Sequence, residues 1–337
     1  MLGAFTTGFA GTVVSEFERG FLRAARPCGV ILFARNVADP EQVRRLVGEA
    51  REAVGDEILV LIDQEGGRVR RLRPPHWRDI PEAARYQRMA ASNRWPPAEA
   101  ARLVARLTAA DLRALGINCN CAPVLDLPVA GSHDVIGSRA YGSNVGGVAD
   151  LGRAVCDGYI TGGVLPVVKH IPGHGRATAD SHLALPTVTA TRAELIATDF
   201  APFKALANAP AAMTAHVVFT AIDAQHPAST SEIVHREIIR GHIGFDGLLM
   251  SDDLSMKALA PLTLKQRAEA VHRAGTDVAL HCSGNPAEMQ DVAAGSRPLE
   301  GPARARYDRA LSVTRTSLVC DVAEAEACLA EVLRLSA

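Results

Sequence analysis

The chain has 337 residues, 48% of them hydrophobic but only 4% aromatic. A core of that kind must be built from Val, Leu, Ile and Ala, which suit parallel strands buried on both faces. With 36 basic and 37 acidic residues the formal net charge is −1, so no basic excess points to nucleic acid or an anionic membrane.

At the start of the chain, Met1-Leu2-Gly3-Ala4-Phe5 lacks a basic residue, and the apolar stretch soon meets Glu16 and Glu18. Neither a secretory signal nor a membrane span is expected, and the cytoplasm is the expected compartment. Eight short apolar runs predict strands at 3–9, 29–33, 58–63, 117–122, 164–169, 211–217, 247–252 and 277–282. Helical patterns fill the gaps. The first runs from Ser15 to about Ala25, with Ser15 and Glu18 spaced as a capping box. The second opens at Pro40 behind the cap Asp39 and runs to about Val54. Others are predicted at 98–115, 148–161, 194–208, 231–242, 265–274 and 286–293, with a last one at 303–316.

A repeated strand–helix order demands parallel pairing through right-handed crossovers. Eight such units predict an α/β fold closed into a single (β/α)8 TIM-type barrel. An open doubly wound sheet is the competing architecture, but Gly8-Phe9-Ala10-Gly11 poorly matches its phosphate turn. No linker divides the chain. One catalytic barrel domain over residues 1–337 is expected, with a C-terminal helical tail from about residue 300.

The seven cysteines form no CxxC pair. Buried free thiols are the expectation, and a zinc site built from them is disfavoured at this spacing. Ionisable residues collect instead at the ends of the predicted strands: Asp63, Lys169-His170, His216, Asp252-Asp253 and His281. Barrel active sites are built at those ends.

Three segments carry the chemistry. Lys169-His170-Ile171-Pro172-Gly173-His174-Gly175 follows a strand and continues to Asp180-Ser181-His182. A carboxylate beside an imidazole fixes its tautomer, and the imidazole is poised for proton transfer near neutral pH. Second, the strand before Asp252-Asp253 runs straight into two carboxylates, of which only one can face the barrel axis. Asp252, nearer the strand, is the inward candidate; a helix-capping role for the other, or for both, stays open. Third, Asp63 ends a strand and can accept two hydrogen bonds from sugar hydroxyls, while Gly66-Gly67 permits a sharp turn toward Arg71.

Together with Gly29-Val30-Ile31-Leu32-Phe33-Ala34-Arg35-Asn36, Ala122-Pro123-Val124-Leu125-Asp126 and Met213-Thr214-Ala215-His216, these segments resemble, in order, those of the family 3 glycoside hydrolases. The resemblance spans about residues 25 to 285. Within the family it points to the bacterial β-N-acetylglucosaminidases of peptidoglycan recycling. It implies retaining exo-hydrolysis of terminal β-linked N-acetylglucosamine from N-acetylglucosaminyl-1,6-anhydromuramic acid, with or without peptide. Asp252 would be the nucleophile and His182 the acid/base, paired with Asp180. Asp63, Arg71, Arg139, Lys169 and His170 would hold the sugar. No cofactor or metal is implied, and the expected partner is a small carbohydrate or muropeptide bound by a monomer.

Three rival readings stay open at this point. His170, His174, His182, His216, Asp63 and Asp252 could ligate zinc in a metal-dependent barrel hydrolase. A related glycosidase or phosphorylase could use the same histidine, with phosphate attacking the intermediate. A non-catalytic sugar-binding barrel is disfavoured by the low aromatic content.

Overall fold

The computed structural model describes residues 1–55, 57–89, 94–177, 185–260 and 262–334. Ten strands occur among them: β1 (Gly3–Gly8), β2 (Pro27–Leu32), β3 (Leu59–Ile62), β4 (Cys119–Asn120), β5 (Leu165–Ile171), β6 (Thr187–Val188), β7 (Ala211–Thr214), β8 (Val218–Phe219), β9 (Leu248–Asp253) and β10 (Val278–Leu280). Eight close into a barrel in the order β1-β10-β9-β7-β5-β4-β3-β2, with parallel pairing throughout. These are the eight runs predicted, so the TIM-type barrel stands. The short β6 and β8 pair with each other outside it.

Each predicted strand lies in the barrel, and most differ only at their ends. The fourth shrinks most, from 117–122 to Cys119–Asn120. Pro123 has no N–H to offer a ladder, and Ala122 donates within the chain to the carbonyl of Asn120.

The helices α1 (Glu16–Ala25) and α2 (Pro40–Val54) begin where capping chemistry puts them. Ser15 and Glu18 exchange hydrogen bonds, and Asp39 accepts from the N–H of Gln42 at 2.8 Å. After α3 (Arg85–Arg88), α4 (Pro97–Arg113) and α5 (Val145–Thr161), the single helix predicted at 194–208 proves to be two, α6 (Arg192–Ala197) and α7 (Ala201–Ala205). Thr198 leaves helical geometry, and Pro202, which lacks an N–H, sits in the first turn of the new helix. The helix predicted at 231–242 is wound as a π-helix over Val234–His242.

The chain finishes with α8 (Leu264–Ala274), α9 (Pro286–Gly295), α10 (Gly301–Ser312) and α11 (Val322–Arg334). The last two lie beyond residue 300. Ala325, Cys328 and Val332 bury their side chains in the main core. Arg78 joins Asp111 on α4 to Glu326 on α11. All seven cysteines are free, and all but Cys320 are buried. No helix among the described residues is long and apolar enough to cross a membrane.

Candidate active site

A cavity of about 360 Å³ opens at the C-terminal ends of the barrel strands. Asp63, Arg71, Arg139, Lys169, His170 and Asp252 all line it. Six of the eight residues singled out from sequence therefore share one site. The other two, Asp180 and His182, lie outside the described residues.

Lys169 on β5 is the centre of a buried charge cluster. Its Nζ is 2.9 Å from Asp63 Oδ1 and 2.7 Å from Glu65 Oε1. Arg71 Nη2 donates to the other oxygen of Asp63 at 2.9 Å. Arg139 grips Glu65 through Nε and Nη2, both at 2.8 Å. Burial opposes a charge on each carboxyl, but the cations win. Lys169 and Arg71 hold Asp63 well below the usual carboxylate range, and Lys169 and Arg139 bring Glu65 down to about 2. Both oxygens of Asp63 and Oε2 of Glu65 keep a further lone pair for a ligand hydroxyl, whereas Glu65 Oε1 is taken up by Lys169 and Arg139.

The loop from Asp63 to Arg71 is fixed by Gln64. Its Oε1 accepts from the N–H groups of Arg71 (2.9 Å) and Leu72 (3.0 Å), and its Nε2 donates to the carbonyl of Leu72 at 3.0 Å. Gly66 and Gly67 have φ of 111° and 53°, and a Cβ on Gly66 would come within 2.1 Å of the Pro81 carbonyl. Only glycine suits that turn. The guanidinium of Arg71 also lies over the Phe33 ring at 5.0 Å, as does that of Arg35.

His170 owes its orientation to Asp126, which is fully buried. Asp126 Oδ2 lies 2.6 Å from His170 Nδ1, and Asp126 Oδ1 accepts the N–H groups of His170 (3.2 Å) and His174 (2.7 Å). A carboxylate on Nδ1 fixes the proton there and leaves Nε2 as the ring's second functional atom. Burial, aided by the neighbouring His170, lowers the His174 imidazole to about 4.

Asp252 stands at the end of β9, 7% exposed, and lines the cavity. Its Oδ1 accepts from the Asp253 N–H at 2.8 Å. Burial works against its charge, but the imidazoles of His170 and His216 and the Asp253 N–H outweigh it and keep the carboxyl below its ordinary range. Asp253 takes a different task. It binds the N–H and hydroxyl of Ser255 and the N–H of Cys282. It therefore pins the turn after β9 and does not cap α8, whose cap is Thr263.

The family model for the glycosyl hydrolase family 3 N-terminal domain matches residues 8–304. The chain belongs to glycoside hydrolase family 3. Among its relatives, a β-hexosaminidase of Alkalilimnicola ehrlichii is 40% identical over 293 residues, covering 84% of this chain and 81% of that one. A β-hexosaminidase of Idiomarina loihiensis is 36% identical and covers 90% of both. Among solved structures, NagZ from Neisseria gonorrhoeae in complex with N-trifluoroacetyl-D-glucosamine superposes with a TM-score of 0.87. It is 32% identical, covering 100% of this chain and 98% of that one.

Within this family 3 site, sequence reasoning missed Glu65, Gln64 and Asp126 as participants. Asp126 was findable. It is an acid just past a predicted strand end, the same signal that singled out Asp63. Glu65 and Gln64 follow Asp63 directly and read as ordinary turn residues until the fold brings Lys169 and Arg139 to them. Among the described residues no three His, Cys, Asp or Glu side chains group as a metal site.

Proposed function

We propose that this chain is a retaining exo-β-N-acetylglucosaminidase. It removes terminal β-linked N-acetylglucosamine from peptidoglycan-derived muropeptides through a covalent glycosyl-aspartate intermediate. The coarser statement, a β-N-acetylhexosaminidase of family 3, rests on the family match and the names its relatives share. The observation that supports the finer one is Asp252 at a barrel-strand end, in the wall of the same cavity as Asp63, Arg71, Arg139, Lys169 and His170.

In the first step an Asp252 oxygen bonds to the anomeric carbon while that carbon's bond to the leaving oxygen breaks. His182 gives its proton to the departing oxygen. In the second step water attacks the anomeric carbon, His182 takes the proton of that water, and the ester to Asp252 breaks. Asp180 stabilises the imidazolium that donates in the first step and re-forms in the second; between the steps His182 is neutral. These two roles rest on the Asp180-Ser181-His182 motif. A neutral imidazole has a physical advantage over the second carboxylate used by most retaining enzymes, because it adds no like charge near Asp252. Asp63, Arg71, Arg139, Lys169 and His170 supply the donors and acceptors that hold the sugar. Action as a cytoplasmic monomer belongs to the same proposal.

Trapping with a 5-fluoro N-acetylglucosaminyl donor tests the reading. Mass spectrometry should find the label on Asp252; a label on Asp253, or none while turnover continues, defeats it. Turnover should be unchanged by added phosphate, since a phosphorylase would need it. N-acetylglucosaminyl-1,6-anhydromuramic acid should give a higher kcat/KM than chitobiose, and the reverse order removes the muropeptide assignment.

A further inference from the structure

The two peptide groups that follow Asp252 are held from several sides. The Asp253 N–H is donated to Asp252 Oδ1 at 2.8 Å. The Asp253 carbonyl lies 3.1 Å from His216 Nε2. The next N–H, that of Leu254, donates to the carbonyl of Leu280 on β10 at 2.9 Å. His216 follows β7, is fully buried and does not line the cavity. Its other ring nitrogen, Nδ1, is 2.7 Å from the hydroxyl of Ser229, which is also fully buried.

This chain of contacts has one consistent proton arrangement. A carbonyl oxygen only accepts, so His216 Nε2 must carry a hydrogen. Burial lowers the basicity of His216, against the pull of Asp252, and keeps the ring neutral. In a neutral ring protonated on Nε2, Nδ1 is an acceptor, so the Ser229 hydroxyl donates to it. The Ser229 N–H in turn donates to the carbonyl of Ala215 at 3.2 Å, which ties the hydroxyl to the same loop.

We infer that Ser229 and His216 are positioning residues for the nucleophile: Ser229 fixes the His216 tautomer, and His216 holds the Asp253 carbonyl so that the Asp253 N–H stays on Asp252. The inference rests on the reading of Asp252 as nucleophile. Without His216 the Asp253 carbonyl keeps only the Met256 N–H at 3.2 Å, so the Asp253 N–H is held less firmly on Asp252 and the carboxylate's aim at the anomeric carbon loosens.

The test uses full-length variants with an aryl β-N-acetylglucosaminide, together with the fluoro-sugar label. His216→Leu removes the donor, and kcat should fall about 100-fold with KM within about twofold, the scale of a small misplacement of a reacting group. His216→Gln, whose amide can donate to the same carbonyl, should recover roughly tenfold of that loss. Ser229→Ala keeps the imidazole but frees its tautomer, and kcat should fall by roughly tenfold at unchanged KM. Labelling of Asp252 should slow in parallel.

Wild-type kcat in both His216→Leu and Ser229→Ala overturns the positioning role, as does a Gln variant no better than Leu. If the Leu variant is insoluble, Ser229→Ala decides alone by the same criterion. Label found away from Asp252 in the wild-type enzyme overturns the nucleophile assignment instead, so the two failures are distinguishable.

Discussion

Arg139 meets Glu65 in a two-point ion pair, Nε to Oε2 and Nη2 to Oε1, each at 2.8 Å. The side chains are 12% and 7% exposed, and Lys169 shares the same carboxylate. Breaking a buried pair by removing one partner leaves an uncompensated charge, which costs about 3–5 kcal/mol. Glu65→Ala should therefore lower stability on that scale in a denaturant titration. It should also raise KM, because Arg139 loses the partner that aims it along the cavity wall. Unchanged stability and KM would show that solvent already screens this pair.

Asp126 makes a second prediction. It satisfies three donors from His170 and His174 without touching the cavity. Asp126→Asn keeps the shape but removes the charge, and its amide NH2 competes for the space of the imidazole proton. A hydrogen bond to a charged group contributes about 1.5–3 kcal/mol, so kcat/KM should fall roughly 10- to 150-fold. Steady-state kinetics on an aryl N-acetylglucosaminide would check it. Stability should change less than in Asp126→Ala, which strands both backbone N–H groups.

What could be read from the chain beforehand follows from the range of the interactions. All eight barrel strands were legible because each is a short apolar run between turn signals, and a parallel strand buried on both faces needs nothing else. The caps Ser15 and Asp39 were legible because their partners lie three residues away. The break at Thr198 was not, since helical residues on both sides masked the effect of Pro202. The π-helical winding at Val234–His242 was equally hidden, because its apolar pattern is that of an ordinary helix. The same division runs through the site. Asp63, Lys169 and Asp252 announce themselves at strand ends. The pairing of Glu65 with Arg139 spans 74 positions, and that of Asp126 with His170 spans 44; only the closed barrel brings them together.

Removing the nucleophile gives a third prediction. Asp252→Ala should reduce kcat by about 10³-fold or more, since the residue acts in both steps of the reaction. Azide, a small anion able to enter the space left by the carboxylate, should restore turnover. The product should be the α-glycosyl azide, because a single displacement inverts the anomeric centre. Product analysis by NMR reads this directly. A β-configured azide would mean that another group still forms a glycosyl-enzyme.

Acid should destabilise the fold in a defined window. The imidazoles of His174, His235 and His272 are each lowered by burial to about 4, against about 6.5 in an unfolded chain. His235 is held neutral between the Ser231 carbonyl and the Thr276 hydroxyl, and His272 contacts the Thr276 carbonyl. Between pH 6.5 and 4 the unfolded chain carries protons that the folded one refuses, so lowering the pH favours unfolding. Their contribution is complete above about pH 6.5 and is lost progressively down to about pH 4. Each histidine adds up to about 1.4 kcal/mol per pH unit to the slope within that window. Denaturant titrations at half-unit steps would measure it. His272→Gln should flatten the slope by up to one proton, and an unchanged slope would show that His272 is protonated in the folded state.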